Sequence, residues 1–402
     1  MLGSPTDRRW PMPWRDLRPM DEKILFIGDH LRGLYSHSEL CEHYGISRKT
    51  GYKWLGRYRA QQLEGLQERS RRPLCSPEAT PYTVRKAIIE LRLRGRDAPG
   101  AKKLQALLAE RFPSEKVPSK STIYNILKAE GLTEPRRRRR RVSPYPQPFG
   151  PVHEPNELWS ADYKGQFRLG NGQWCYPLTV MDHHSRYLLG CRGEQATDTA
   201  SARRYFRHLF QEHGLPKRIR TDNGVPFAST CAAGLSRLSI WWIRLGIVPE
   251  RIEAGKPQQN GRHERMHRTL KRAATRPASA SLRGQQRRFD QFQDQYNQQR
   301  PHEALGQEVP ASHYRDSPRA YPERLPDLLY PGHIQVKVVS HSGVIYVHGG
   351  QIYLSHLLES ERVGLEEIDD GVWEVHFGPV RLGAVDLRNK QGGKTPYWTL
   401  RL

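Results

Sequence analysis

The stretch LWSADYKGQFRLGNGQWCYPLTVMDHHSRYLLGCR (158–192) decides the fold class. Within it LWSADYKGQF, QWCYPLTVMD and YLLGCR are strand-length runs rich in apolar, aromatic and β-branched residues. LGNGQ (169–173) supplies a hairpin turn between the first two, so three consecutive strands are predicted. Downstream, helical segments at 198–213 and 236–246 flank a short strand-like stretch, RIRTD (218–222). A long helical stretch begins near Gly261, after Pro257. Phe289, Phe292 and Tyr296 follow at i, i+3 and i+7, the spacing of a helix face turned to a core. Together these predict an α/β domain over 156–320.

Both flanks differ from this centre. Toward the C-terminus, Ile334, Val336 and Val338 alternate with Gln335 and Lys337. VIYVHGGQIYL carries an HGG turn, and VWEVHF and AVDL follow, so a small all-β barrel is expected over 331–402. Toward the N-terminus, SHSELCEHYGISRKTGYKWLGRYRA (36–60) reads as two short helices around a tight turn. Ser36 and Glu39 match a capping box, Gly45 suits the turn, and Ser47 caps the second helix. Arg48, Lys49, Tyr52 and Lys53 then lie along the exposed start of that helix, the outline of a helix-turn-helix whose second helix enters the DNA major groove. The bland alternative is an αα-hairpin with a solvated basic face. Residues 83–94, 100–112 and 119–132 repeat the helical pattern, with Lys120 near the start of the last helix. A second all-α helix-turn-helix module is expected there.

Arg136, Arg137, Arg138, Arg139, Arg140 and Arg141 form an unbroken run, and six prolines fall from Pro135 to Pro155. Such a segment sustains neither a helix nor a central strand, and its arginines suit a phosphate backbone. The expected organisation is an N-terminal extension (1–23), helix-turn-helix regions at 24–75 and 76–134, a linker (135–155), the α/β domain (156–320) and the β domain (331–402).

Composition narrows the class. The 402 residues carry 65 Lys and Arg against 42 Asp and Glu, a net charge of +23, which points to a polyanionic partner. The excess is uneven: residues 1–150 hold 31 basic and 16 acidic residues. No apolar run approaches the roughly 20 residues of a membrane span, and MLGSPTDRRWPMPW lacks the apolar centre of a signal peptide. The five cysteines are scattered without a CxxC pair, so neither a disulfide framework nor a cysteine zinc site is suggested.

Three carboxylates stand out. Asp162 lies inside a strand-like run, Asp222 ends RIRTD before Asn223-Gly224, and Glu264 sits one turn into the helix after Gly261. Strand ends and helix starts are where α/β folds gather ligands. Three oxygen donors on two strands and a helix suit hard divalent cations and in-line phosphoryl displacement. Each acid alone is equally readable as a turn residue or a surface charge.

WSADYKG (159–165), TDNG (221–224) and PQQNGRHERMHRTLK (257–271) resemble the three signatures of the DDE integrase-core transposases of bacterial insertion sequences, relatives of the retroviral integrases. PLTVMDHHSRY (177–187), YNQQRPHEAL (296–305) and MPWRDLRPMDEK (12–23) extend the similarity along the chain. The resemblance implies an RNase H-like core in which catalytic Asp162, Asp222 and Glu264 bind two Mg²⁺ ions, with Mn²⁺ able to substitute. It implies a basic residue seven positions after the glutamate, here Lys271, which shares a helix face with Glu264 and Arg268 and would hold DNA phosphate. The implied activity is binding of terminal inverted repeats followed by metal-dependent 3′-end cleavage and strand transfer. The implied partners are double-stranded DNA, as element ends and target, and further copies of the chain on paired ends. No membrane is involved, and the expected location is the bacterial cytoplasm, on the nucleoid when DNA-bound.

Two departures from the family accompany the match. Between Asp222 and Glu264 stand 41 residues, more than in retroviral integrases, with the excess assigned to FASTCAAGLSRLSIWW (227–242). Residues 1–150 lack the His and Cys spacing of the retroviral zinc domain, so no zinc is expected. Asp182-His183-His184 resembles a phosphoesterase signature, but Asp182 reads better as capping a turn through Ser185 and Arg186. The rival functions are a sequence-specific DNA-binding regulator with a decayed core, and a nonspecific nuclease of the same fold.

Overall fold

The computed structural model describes residues 19–69, 79–94, 98–133, 150–229, 231–253, 256–389 and 397–401. The chain divides into two compact units, Met1–Ala79 and Thr80–Leu402. The first unit holds α1 (Pro19–Arg32), α2 (His37–His43) and α3 (Arg48–Gln61). Ser36 caps α2 by accepting from Glu39 N, while the Glu39 carboxylate accepts from Ser36 N at 2.9 Å. Phe26, Ile27, Leu40, Cys41, Trp54, Leu55 and Leu66 form the core. Gly51 lets α3 approach α2 closely, since a Cβ there would stand 2.6 Å from Cys41 Sγ. The boundary expected at 23/24 falls inside α1, because Met20 already packs against this core.

The second unit begins with α4 (Tyr82–Leu93), α5 (Ala101–Arg111) and α6 (Lys120–Ala129), which close over Val84, Ile88, Leu104, Leu108, Ile123 and Leu127. Ser119 caps α6 by accepting from Thr122 N. Arg92 ties the three helices together by donating to the carbonyls of Ala98, Pro99 and Leu132.

A mixed sheet follows, made of β1 (Leu158–Tyr163), β2 (Phe167–Arg168), β3 (Trp174–Asp182) and β4 (Leu188–Glu194). After α7 (Thr199–His213) come β5 (Arg218–Thr221), α8 (Arg237–Arg244), β6 (Val248–Arg251), α9 (Gly261–Ala274) and α10 (Leu282–Gln298). β3 pairs antiparallel with β1 and β4, and β5 and β6 extend the other side of β1 in parallel. The period-2 alternation of β1 sorts its side chains. Trp159 and Ala161 join Phe206, Phe210, Trp241 and Trp242 of α7 and α8 on one face. The other face packs Met181, Leu188 and Cys191 against Met266 and Leu270 of α9 and Phe289, Phe292 and Tyr296 of α10. Ser160 and Asp162, on alternate positions, belong to the face that α9 covers.

The C-terminal region is all-β, with β7 (Gln335–Val338), β8 (Val344–Val347), β9 (Gly350–Tyr353), β10 (Arg362–Asp369), β11 (Val372–Phe377), β12 (Val380–Asp386) and β13 (Tyr397–Trp398). His348 and Gly349, both at positive φ, form the two-residue turn between β8 and β9. The all-β character is as expected; among the described residues a four-stranded sheet (β12-β11-β10-β7) and a three-stranded sheet (β13-β9-β8) enclose one core, a pairing that does not by itself confirm the expected small barrel. That core also takes Ile240 and Ile243 of α8, and Arg244 pairs with Glu361 at 2.9 Å. Among the described residues no helix is long and apolar enough to cross a membrane.

Candidate active site

The site grows out of the β1–β5 pairing. Ser160 lies opposite Arg220 in parallel register, so two residues further on Asp162 and Asp222 occupy matching positions at the strand ends. Asp222 follows β5 directly and bends the chain by accepting from Gly224 N at 3.2 Å. Asn223 Nδ2 donates to Ile252 O at 2.8 Å and pins the turn to the end of β6. A Cβ on Gly224 would lie 3.1 Å from Asp222 Oδ2, so the glycine in TDNG permits a close approach to the carboxylate.

Glu264 is in the first turn of α9, exposed, while His263, Met266, His267 and Leu270 face the interior. Arg220, buried and paired with Glu250 at 2.6 Å, also reaches Gln259 O at 3.4 Å and fixes the start of the helix against β5 and β6. Asp162 senses the charges of the other two carboxylates. It is raised to about 7, chiefly by burial, then by the charge of Asp222 and by a smaller push from Glu264, against a hydrogen bond from the Tyr163 backbone. A carboxylate destabilised by burial and by two other carboxylates is relieved by a bound cation. The donor set is all hard oxygen, which fits Mg²⁺ or Mn²⁺.

Beneath this carboxylate group runs a buried polar chain. Thr179 Oγ1 lies 2.7 Å from both His263 Nε2 and His267 Nε2, and it donates to Asp162 O at 3.0 Å. His263 Nδ1 is 2.9 Å from Ser160 Oγ, and His267 Nδ1 is 3.6 Å from Asp162 Oδ2. Burial holds both imidazoles neutral, pulling His263 down to about 3 and His267 well below its ordinary value. Ligand atoms of Asp162, His263 and His267 lie within 4.8 Å of one another, the one group of three His, Cys, Asp or Glu with that spacing among the described residues; Asp162, Asp222 and Glu264 do not come that close together. Sequence reading missed these histidines. Their i, i+4 spacing on a helix was the available signal. Lys164 was missed too: burial, then the charge of Lys271, lower it, and Asp162 partly offsets them, so Lys164 stands near both Lys271 and Asp162.

The remaining expected residues are dispersed. Arg268 and Lys271 are exposed on α9 beyond Glu264, and no ion pair joins Glu264 to Arg268 among the described residues. Arg48, Lys49, Tyr52 and Lys53 are all exposed on α3, with the Tyr52 ring 3.9 Å from the His37 ring and Lys53 Nζ 4.6 Å from the Trp54 ring centre. Lys120 is the exposed first residue of α6. Arg136 to Arg141 lie outside the described residues. Asp182 caps its turn, accepting from Ser185 N at 2.7 Å, Ser185 Oγ at 2.6 Å and Asn156 N at 2.8 Å.

Residues 152–257 and 245–310 match two family models of the integrase core domain, and residues 334–393 match the C-terminal domain of the IS481 family transposases. The chain belongs to the integrase-core transposases of bacterial insertion sequences, of the IS481 type. Residues 22–73 of this transposase match a helix-turn-helix domain and residues 50–127 a homeodomain-like domain. It is 28% identical over 209 residues to the 31.7 kDa protein of insertion element IS407 of Burkholderia multivorans, covering 50% of this chain and 73% of that protein. It is 27% identical over 268 residues to the 39.2 kDa protein of insertion element IS476 of Xanthomonas euvesicatoria, covering 66% and 74%. The magnesium-bound catalytic core domain of HTLV-2 integrase aligns over 40% of this chain and 98% of its own, at 16% identity and a TM-score of 0.32.

Proposed function

We propose that this transposase binds the terminal inverted repeats of its element and, at Asp162, Asp222 and Glu264, cleaves the 3′ ends and joins them to target DNA. The supporting observation is the placement of the three acids on β1, just past β5 and in the first turn of α9, with Asp162 raised to about 7 by burial and by the charges of the other two. Two Mg²⁺ ions, or Mn²⁺ in their place, would supply charge neutralisation and a more acidic attacking hydroxyl. Asp162 and Asp222 hold their carboxylates at the ends of adjacent parallel strands, and Glu264 closes the set from the helix above.

In the first step a water oxygen bonds to phosphorus at the element's end, and the P–O3′ bond breaks to leave a 3′-hydroxyl and a 5′-phosphate. In the second, that hydroxyl oxygen attacks a target phosphodiester and displaces a target 3′-oxygen, so one phosphodiester is exchanged for another. Lys164 and Lys271, near Asp162, hold phosphate oxygens. The helix-turn-helix residues Arg48, Lys49, Tyr52, Lys53 and Lys120, with the arginines at 136–141, position the duplex. The chain acts in the bacterial cytoplasm, associated with the nucleoid, as a homo-oligomer that pairs two ends.

The test supplies labelled duplexes of the element's ends and a supercoiled plasmid to purified protein, with Mg²⁺ or EDTA. Metal-dependent joining by the wild type, lost in Glu264→Gln with end binding intact, is the expected result. End-specific binding without joining in any divalent metal would favour the regulator, and cleavage indifferent to terminal sequence the nuclease.

A further inference from the structure

The second helix-turn-helix region does not hang free of the catalytic core. Lys102 of α5 forms an ion pair with Glu303, in the turn that follows α10. Between these α-helical elements and α9 lies an open cleft of about 520 Å³. Lys103 and Tyr124 line it from one side, Arg268 and Arg272 of α9 from the other, and Arg300 closes the end beside Glu303. Glu303 is the one acid among the described residues lining this cleft, and Lys102 engages it.

The cleft has the character of an anion seat rather than of a solvated basic face. Lys103 is half-buried, and desolvation lowers it to about 8 despite the nearby Glu303 charge; desolvation also lowers Arg300 to about 10. Cations held where water is scarce are stabilised by a polyanion that replaces their hydration. The cleft is also aligned with the site. Glu264, Arg268 and Arg272 succeed one another every four residues on the exposed side of α9, about 6 Å apart along its axis. That interval is roughly two nucleotides of duplex rise at about 3.4 Å each. At the opposite end, Tyr124 in the first half of α6 lines the cleft, so α6 borders the same surface.

We propose that this cleft seats the sugar-phosphate backbone of a DNA duplex running from α6 to Glu264, with Lys103, Arg268, Arg272 and Arg300 as its phosphate contacts. The proposal rests on the function proposed above and adds a location: the second helix-turn-helix and the active site of one chain hold the same DNA. Lys102 and Glu303 then act as the strut that keeps the two walls of the cleft together.

The experiment measures binding of the full-length protein to a fluorescent duplex of the element's terminal repeat across about 50 to 200 mM salt. The variants are Arg272→Ala, Lys103→Gln, which keeps most of the apolar stem, and Arg207→Ala on α7 as a control. The expected result is that each cleft variant reduces the slope of log affinity against log salt by about 0.9, the value for one phosphate contact, and that Arg207→Ala does not. Unchanged slopes in both cleft variants would overturn the proposal. Equal loss in all three variants would also overturn it, as would a loss seen only with an RNA duplex of the same sequence. Each slope is read on a scrambled duplex too. Absence of preference for the terminal repeat counts against the proposed function, whereas the slopes decide the cleft.

Discussion

Asp162 and Asp182 stand on neighbouring strands of one sheet, the first partly and the second fully buried, yet the protein treats them oppositely. Burial pushes both upward. Asp182 is compensated by three donors, two from Ser185 and one from Asn156, which lower it again. Asp162 faces Asp222 and Glu264, whose charges push it further up. A buried carboxylate surrounded by donors holds a structure together, whereas one surrounded by carboxylates is kept for a cation.

The contrast breaks if the two aspartates respond alike to substitution. Asp162→Asn is expected to lower end joining by about 10³-fold, as loss of a preorganised electrostatic group does, with thermal stability equal to the wild type or higher. Asp182→Ala is expected to lose about 3 kcal/mol of unfolding free energy, because Ser185 and Asn156 are left with unmet donors. A stable Asp182→Ala protein, or an Asp162→Asn protein that melts early, would erase the distinction.

A smaller effect sharpens it. Asp162 has an ordinary value of 3.8 and stands at about 7 in the folded chain, so between these values the folded state binds more proton than the unfolded one. Stability contributed by protonated Asp162 is therefore full below about 4, falls as pH rises to about 7, and is flat above. In chelator, the stability advantage of Asp162→Asn over the wild type should grow across that window and then level off. Taking the difference cancels the contribution of Asp182. A difference that does not vary with pH would show that Asp162 is not under the pressure inferred for it.

Much of this was legible before the structure. The hairpin at 169–173, the strands around it and the helix from Gly261 follow from local pattern, and so do the caps Ser36 and Ser47. The acids were found through motif context, since no periodicity marks a carboxylate as one of three. His263 and His267 were hidden because they occupy the inward face of α9, where an apolar stripe is the ordinary reading, and their use shows only in contacts with Ser160, Asp162 and Thr179 on β1 and β3. The docking of Lys102 on Glu303 joins positions 201 residues apart, and no local signal encodes such a contact. The C-terminal strands were readable from alternation, but barrel closure is a matter of strand pairing, and the pairing gives two sheets around a core shared with α8.

The most direct test of the central claim is calorimetric titration of the full-length protein with Mn²⁺, comparing wild type, Asp222→Asn, Glu264→Gln and His267→Gln. If the metal rests on Asp162, Asp222 and Glu264, binding is weakened strongly in both carboxylate variants and persists in His267→Gln. Binding that survives Asp222→Asn and Glu264→Gln but disappears in His267→Gln would place the ion on Asp162, His263 and His267 and contradict the three-carboxylate site.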